Sequence, residues 1–223
     1  MKRKLGRLSK AVVVSFMLAI PAVGGADPLK ELSAQWWQWA ISIPSAANPL
    51  TDVSGANCMV GQRGDVWFLA GNFTGGTVSR SCTVPQGVPL FFPIVNSVQV
   101  NTPFICGQSG PLSVADMRKN TAFFIDGVSG VTATLDSAAL TGIRRIQSTP
   151  FVTALPVANI FVDPCGGDSP AGVFSSSVSD GYYVKVDGLS VGTHTLQFTA
   201  ANTEAGFNLN VTYTLDVRSV TVK

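Results

Sequence analysis

Ionisable side chains are scarce in this chain of 223 residues, of which only 13% are charged. It contains one histidine, His194, and two glutamates, Glu31 and Glu204. Enzymes that use a histidine or a pair of placed carboxylates for acid–base catalysis therefore have few candidate residues here. The Gly-x-Ser-x-Gly turn that presents a serine nucleophile in many hydrolases is also missing from the sequence.

Cysteine is limited to four residues, Cys58, Cys82, Cys106 and Cys165, and no Cys-x-x-Cys spacing occurs. A zinc site is disfavoured because the chain offers only one histidine beside them. Four cysteines are typical of an exported protein with two disulfides, which leaves no free thiol as a nucleophile. Three pairings are possible, and we favour Cys58–Cys82 within one hairpin region and Cys106–Cys165 between two glycine-rich loops.

Long apolar runs are missing as well. The longest candidate, Ala11–Ile20, follows a basic N-terminus, ends at Pro21 and is succeeded by small residues up to Ala26. This order is typical of a secretory signal peptide, and the run is about half of the roughly 20 residues that a membrane helix needs. The sequence predicts a signal peptide over 1–26, no membrane span in the mature chain 27–223, and a secreted or periplasmic protein.

Removal of that segment reverses the sign of the net charge. Five of the 15 basic residues and none of the 13 acidic residues lie in 1–26, which leaves 10 basic and 13 acidic residues, a net charge of −3. A mildly acidic chain lacks the basic surface that binds phosphate backbones. We therefore expect no nucleic-acid partner.

Short strand patterns dominate residues 27–223, which predict a single all-β domain. Residues 207–218 alternate strictly between apolar and polar side chains, as expected for a strand with one buried and one wet face. Nine or ten such strands, separated by Gly, Asp and Asn turns, predict an antiparallel β-sandwich or jelly roll.

Two helices interrupt this pattern. Asp27 and Pro28 form a helix-start signal for a short N-terminal amphipathic helix over 28–43. Trp36 and Trp39 lie on its apolar face, whereas Trp37 lies on the flank. A second, shorter helix is predicted over 114–120, followed by a strand over 122–125.

His194 and Asp180 are the candidates for acid–base catalysis. His194 shares one face of its strand with Leu196 and Phe198, which favours a buried structural histidine. The catalytic alternative pairs it with a carboxylate such as Asp180, although Asp-Gly dipeptides usually form turns.

A calcium site in the glycine-rich loop around Asp163 and Asp168 is the remaining metal hypothesis. Two carboxylates are too few for calcium, and their spacing does not match an EF-hand loop. We expect neither a metal nor a cofactor.

Exposed aromatic side chains are the leading candidates for ligand binding. Trp37 and Tyr183 are predicted to present stacking surfaces for sugar rings, while core packing is the alternative for both.

Five motifs give the chain a resemblance to a known family: QWWQWA, GDVWFLAG, LFFPIVN, DGYYV and GTHTLQF. They resemble those of a family of uncharacterised secreted bacterial proteins, and the resemblance covers most of residues 27–223. It implies no activity. It does imply that the polar residues among these motifs form either a structural network or a ligand site: Gln62, Arg80, Asn96, Asp180 and His194.

Three functions follow as hypotheses. The first is an exported, non-catalytic protein that binds an envelope or extracellular ligand, with carbohydrate as the leading class. The second is a secreted hydrolase or lyase acting on a polymer, and the third is a structural component of the envelope.

Overall fold

The structure is a computed structural model that describes residues 27–102, 105–167 and 169–219. The predicted signal peptide, 1–26, lies outside the described residues, and so does Asp168. Among the residues described, no helix is long and apolar enough to cross a membrane.

The described residues form two α-helices and ten strands. The helices are α1 (Pro28–Ile41) and α2 (Val114–Asp126), with short 3-10 turns at Ser45–Ala47 and Ile105–Gly107. The strands are β1 (Trp67–Phe68), β2 (Gly76–Pro85), β3 (Leu90–Gln99), β4 (Ser129–Leu135), β5 (Ala138–Ala139), β6 (Arg144–Gln147), β7 (Phe151–Leu155), β8 (Gly172–Val186), β9 (Gly192–Asn202) and β10 (Phe207–Arg218).

Helix α1 begins where the sequence predicts. The Asp27 carboxylate accepts a hydrogen bond from the backbone N–H of Leu29 at 3.1 Å, and Pro28 occupies the first turn. The indole N–H groups of Trp36 and Trp39 each donate to a backbone carbonyl at 2.9 Å. Trp37 is buried beside them, so the helix buries all three indoles.

The strands form two sheets in a sandwich-like arrangement. Sheet 1 has the order β1-β3-β8-β6, with β7 also paired to β8, and sheet 2 has the order β2-β10-β9-β4-β5. The expectation of a purely antiparallel sandwich is wrong in two places, because β1 pairs with β3 and β2 pairs with β10 in parallel. Neither parallel pair is adjacent in the chain, so local turn signals do not reveal them.

Sheet 1 separates two apolar cores. The inter-sheet core lies between the sheets and contains Phe92, Phe198 and Leu215. The helix-side core lies between sheet 1 and α1 and contains the three tryptophans together with Phe91 and Tyr183. Sheet 1 is therefore covered on both faces, while the outer face of sheet 2 carries polar side chains.

Helix α2 is longer than the sequence predicts and replaces the strand expected over 122–125. Met117, Thr121 and Ile125 are buried at a spacing of four residues. This spacing places them on one helical face, which packs against β3 and β8. Tertiary packing thus decides the secondary structure of this segment, because its short apolar run is locally compatible with either a helix or a strand.

Both disulfides form with the favoured pairing, Cys58–Cys82 and Cys106–Cys165, and the described residues include no free cysteine. The first bond joins the loop before β1 to β2. The second joins the turn after β3 to the loop before β8. Two disulfides are compatible with an oxidising, extracellular compartment.

Candidate functional site

A cavity of about 290 Å³ opens beside β3. A second cavity of about 460 Å³ continues from it along the same strand, and both are lined by Val98 and Phe161. We call the two together the edge groove. It runs along β3 from Pro93 to Gln99 and ends at Val100, just beyond the strand.

Consecutive residues of β3 line the edge groove. Since side chains alternate between the two faces of a strand, a cavity on one face touches only every second residue. Contact with successive residues therefore means that the groove follows the edge of the strand, where backbone groups are exposed.

That edge of β3 is largely unpaired. One side of β3 pairs with β8 along the strand, whereas the other side pairs with β1 only at Leu90 and Phe91. Within the described residues, no strand covers this second edge from Phe92 to Gln99. The groove thus contains an open sheet edge.

Two aromatic walls flank the open edge. Trp37, Phe73 and Phe161 belong to the side of the helix-side core. Phe124 and Phe207 belong to the side of the inter-sheet core and pack edge to face, with ring centroids 5.5 Å apart.

No lining residue described for the edge groove is Asp, Glu, Lys, Arg or His. Polar groups come instead from amides and hydroxyls. In the larger cavity, Gln99 donates to Gln108 at 3.1 Å and accepts from Asn120 at 3.4 Å. The groove therefore offers apolar contact and neutral hydrogen bonding, without a charge to recognise an ion.

Trp37 and Asn96, two of the predicted ligand-binding residues, line this groove. Trp37 is only 3% exposed and Tyr183 only 1%, so the expectation that both present open stacking surfaces is wrong. Tyr183 packs behind the groove, with its hydroxyl accepting a bond from Asn96 at 3.3 Å. Burial raises the pKa of Tyr183 to about 12. The indole Nε1 of Trp37 is buried and makes no hydrogen bond with the described residues.

Arg80 and Gln62 hydrogen-bond to backbone groups of the chain segment that precedes β2. Arg80 is 2% exposed and donates to the carbonyls of Asp52, Ala70 and Gly71 at 2.7–2.9 Å. Gln62 bonds the backbone N–H and carbonyl of Phe68. Both side chains therefore satisfy buried backbone groups, which is a structural role.

Asp180 is fully buried and paired with Arg145. Its carboxylate accepts from Arg145 Nε at 3.1 Å, from Arg145 Nη2 at 2.8 Å and from Gln147 at 3.1 Å. Arg145 also contacts Asp126 at the end of α2 at 2.6 Å. These bonds raise the pKa of Arg145 above its usual range. Asp180 therefore has a structural role: through Arg145 it links β8 to β6 and, by way of Asp126, to α2.

His194 pairs with Asp136, so the predicted pairing with Asp180 is wrong. Its Nδ1 lies 2.7 Å from an Asp136 oxygen, and its Nε2 lies 3.1 Å from the Ser190 carbonyl. Hydrogen bonding to Asp136 raises the pKa of His194, against a smaller opposing effect of burial. Both ring nitrogens face acceptors, which leaves neither free as a base. Asp136 directly follows β4, whereas His194 lies in β9, so this pair is far apart in the chain and leaves no local signal in the sequence.

The walls of the groove are the residues that sequence reasoning missed. Phe161 is buried, Phe73, Phe124 and Phe207 are half-buried, and the four come from separate segments. Nothing in the sequence shows that the four side chains converge, because the segments that carry them are far apart in the chain.

Metal binding finds no support among the residues described, since no group of three or more His, Cys, Asp or Glu side chains clusters there.

Comparisons of the chain with protein-family models, curated proteins and solved structures found no match.

Proposed function

We propose that the protein is an exported, disulfide-stabilised binding protein whose edge groove takes an uncharged ligand. One observation carries this proposal: two adjoining cavities, walled by aromatic side chains, lack any ionisable lining residue among those described. Ligand sites in proteins are typically concave and mostly apolar, with a few placed polar groups.

A charged ligand is disfavoured by desolvation. Moving an ion from water into an apolar groove costs several kcal/mol unless an opposite charge compensates it. The edge groove supplies amides from residues such as Asn72, Asn96 and Gln99, which hydrogen-bond neutral donors and acceptors. The ligand that fits has apolar surface and neutral hydrogen-bonding groups along its length.

Binding is favoured over catalysis by the positions of the acid–base candidates. Asp180 is saturated by Arg145 and Gln147, and His194 by Asp136 and Ser190. Neither lines the edge groove. A hydrolase acting in this groove would need a proton donor or acceptor there.

Ligand panels measured by thermal unfolding test the proposal. The oxidised protein is heated with neutral glycans, with uncharged peptides, and with charged members of both classes. A ligand at 100 times its Kd that binds only the folded state stabilises it by about 2.7 kcal/mol, which shifts the midpoint measurably. We expect shifts only with neutral ligands, and the same shifts at low and high salt because no charge pair forms.

A matched pair of variants locates the binding site. Ser97→Lys introduces a charge into the groove, whereas Ser79→Lys introduces the same charge on the outer face of sheet 2. Binding is expected to be lost in the first variant and kept in the second. Equal binding by both variants, or binding that weakens steeply with salt, contradicts the proposal.

A further inference from the structure

The open edge of β3 is the feature that narrows the ligand class. We propose that the edge groove binds an extended, uncharged polypeptide segment of a partner protein, which adds to β3 as a new strand. This inference rests on the proposed function, because it names the ligand of the same groove.

Free backbone groups of β3 can form hydrogen bonds with an added strand. In an antiparallel pair, alternate residues bond to the partner strand and the remaining ones point their N–H and C=O groups to the other edge. After a register shift between Pro93 and Val95, β3 pairs regularly with β8 through Gln99, so the groups that point away from β8 face the groove from Val95 onward. An extended peptide satisfies such a row of donors and acceptors in register.

The usual protections of an exposed edge are missing from Val95 onward, beyond the register shift between Pro93 and Val95. Natural edge strands carry lysines, prolines or bulges that prevent unwanted pairing. Residues 95–99, Val-Asn-Ser-Val-Gln, contain no charge and no proline, and their register with β8 is unbroken. The edge instead lies between the two aromatic walls.

The two walls match the alternation of side chains in a strand. A strand added to β3 would point successive side chains to opposite faces. One set would contact Trp37, Phe73 and Phe161, and the other set would contact Phe124 and Phe207. Apolar or β-branched residues on both faces of the peptide are therefore expected.

The length of the groove sets the length of the segment. Residues 93–100 span roughly 23 Å at about 3.3 Å per residue. A typical strand of about five to six residues fits within that distance. The neutral lining excludes Asp, Glu, Lys and Arg from the central positions of the peptide.

Selection from a displayed library of random linear peptides against the oxidised protein provides the probe. We expect the selected sequences to lack charged residues over about five or six positions and to be rich in β-branched and aromatic residues. A chosen peptide is then synthesised with blocked ends and with single N-methyl groups at each position in turn.

N-methylation distinguishes strand addition from other modes of binding. Methylation removes one N–H donor, so it weakens binding where that N–H bonds to β3 and spares positions where it points away. We expect losses of about tenfold at every second position, equivalent to about 1.4 kcal/mol each. A loss pattern without this alternation overturns the inference.

Two neighbouring phenylalanines supply the matched control on the protein. Phe124 lines the groove, whereas Phe123 is 84% exposed on the same helix and does not line it. Phe124→Ala is expected to weaken peptide binding about tenfold or more, and Phe123→Ala to leave it unchanged. Thermal unfolding of both variants verifies folding, and Ser97→Lys serves as a second groove variant if Phe124→Ala unfolds.

The outcomes separate this inference from the proposed function. If neutral glycans bind in the groove and no peptide does, the inference fails and the proposed function stands. If neither class binds, or if binding survives Ser97→Lys, both fail. Self-association through β3, detected as a dimer that Ser97→Lys dissociates, also overturns the inference because the occupant is then a second copy.

Discussion

Arg145 joins two carboxylates that differ sharply in burial, and this difference gives a decisive stability prediction. Asp180 is fully buried, whereas the Asp126 side chain is 64% exposed, and both contact the same guanidinium. We consider Asp180→Ala and Asp126→Ala as a matched pair. Each variant removes one carboxylate and leaves Arg145 with the other.

The expected magnitudes follow from these contacts. Asp180→Ala removes three hydrogen bonds of 2.8–3.1 Å and leaves Arg145 and Gln147 without their buried acceptor. Breaking a buried pair costs about 3–5 kcal/mol, and the partial exposure of Arg145 places the expected cost near 3 kcal/mol. Asp126→Ala breaks an exposed pair, which costs about 0–1 kcal/mol.

Urea unfolding of the two variants and the wild type measures the difference. An unchanged m-value would show that only the free energy of unfolding has changed. In thermal unfolding, the loss in Asp180→Ala corresponds to a fall in the midpoint of roughly 6–12 °C for a protein of this size. Equal destabilisation in both variants, or none in Asp180→Ala, would refute the structural role of the buried pair and reopen a catalytic one.

Three further predictions concern stability. Because the pKa of His194 is raised in the folded protein, its contribution is complete below about pH 6.5 and is lost as pH rises through the raised value. The urea midpoints of the wild type and His194→Gln should therefore differ more at about pH 5 than at about pH 8.5, and a constant difference contradicts this. Replacing both Cys106 and Cys165 with serine opens a loop with a sequence separation of 59 and should cost about 4 kcal/mol in urea unfolding, whereas a loss below about 1 kcal/mol counts against the loop-entropy argument. Gly55→Ala should cost about 1–3 kcal/mol more than Gly64→Ala, because both have positive φ but only the first Cβ overlaps a neighbouring backbone carbonyl; equal thermal midpoints would disprove this.

Local sequence signals predict secondary structure correctly where interactions between neighbouring residues determine it. The start of α1 follows from Asp27 and Pro28, since capping and a fixed φ act within one turn. The alternation over 207–218 likewise appears as β10, with its apolar residues buried in the inter-sheet core. Both signals act over distances that a short window of sequence contains.

The candidate site was only partly predictable. The sequence predicts Trp37 and Asn96 as ligand-binding residues and both line the groove, but it predicts an exposed Trp37, which is buried. An aromatic flank of a helix is compatible with either environment, because burial depends on which other segments pack against it. Phe124 lies in a segment predicted as a strand, so its place in a groove wall could not be inferred.

The sequence by itself determined four features of this protein: few ionisable groups, four cysteines, many short strands and one well-capped helix. These features depend on residue type and local spacing. Only the tertiary structure decided that β1 pairs with β3 for just two residues, that no other strand of the described residues covers the rest of that edge, and that four distant phenylalanines wall it. The physical reason is that pairing and convergence across the chain depend on long-range packing, for which a local pattern carries no signal.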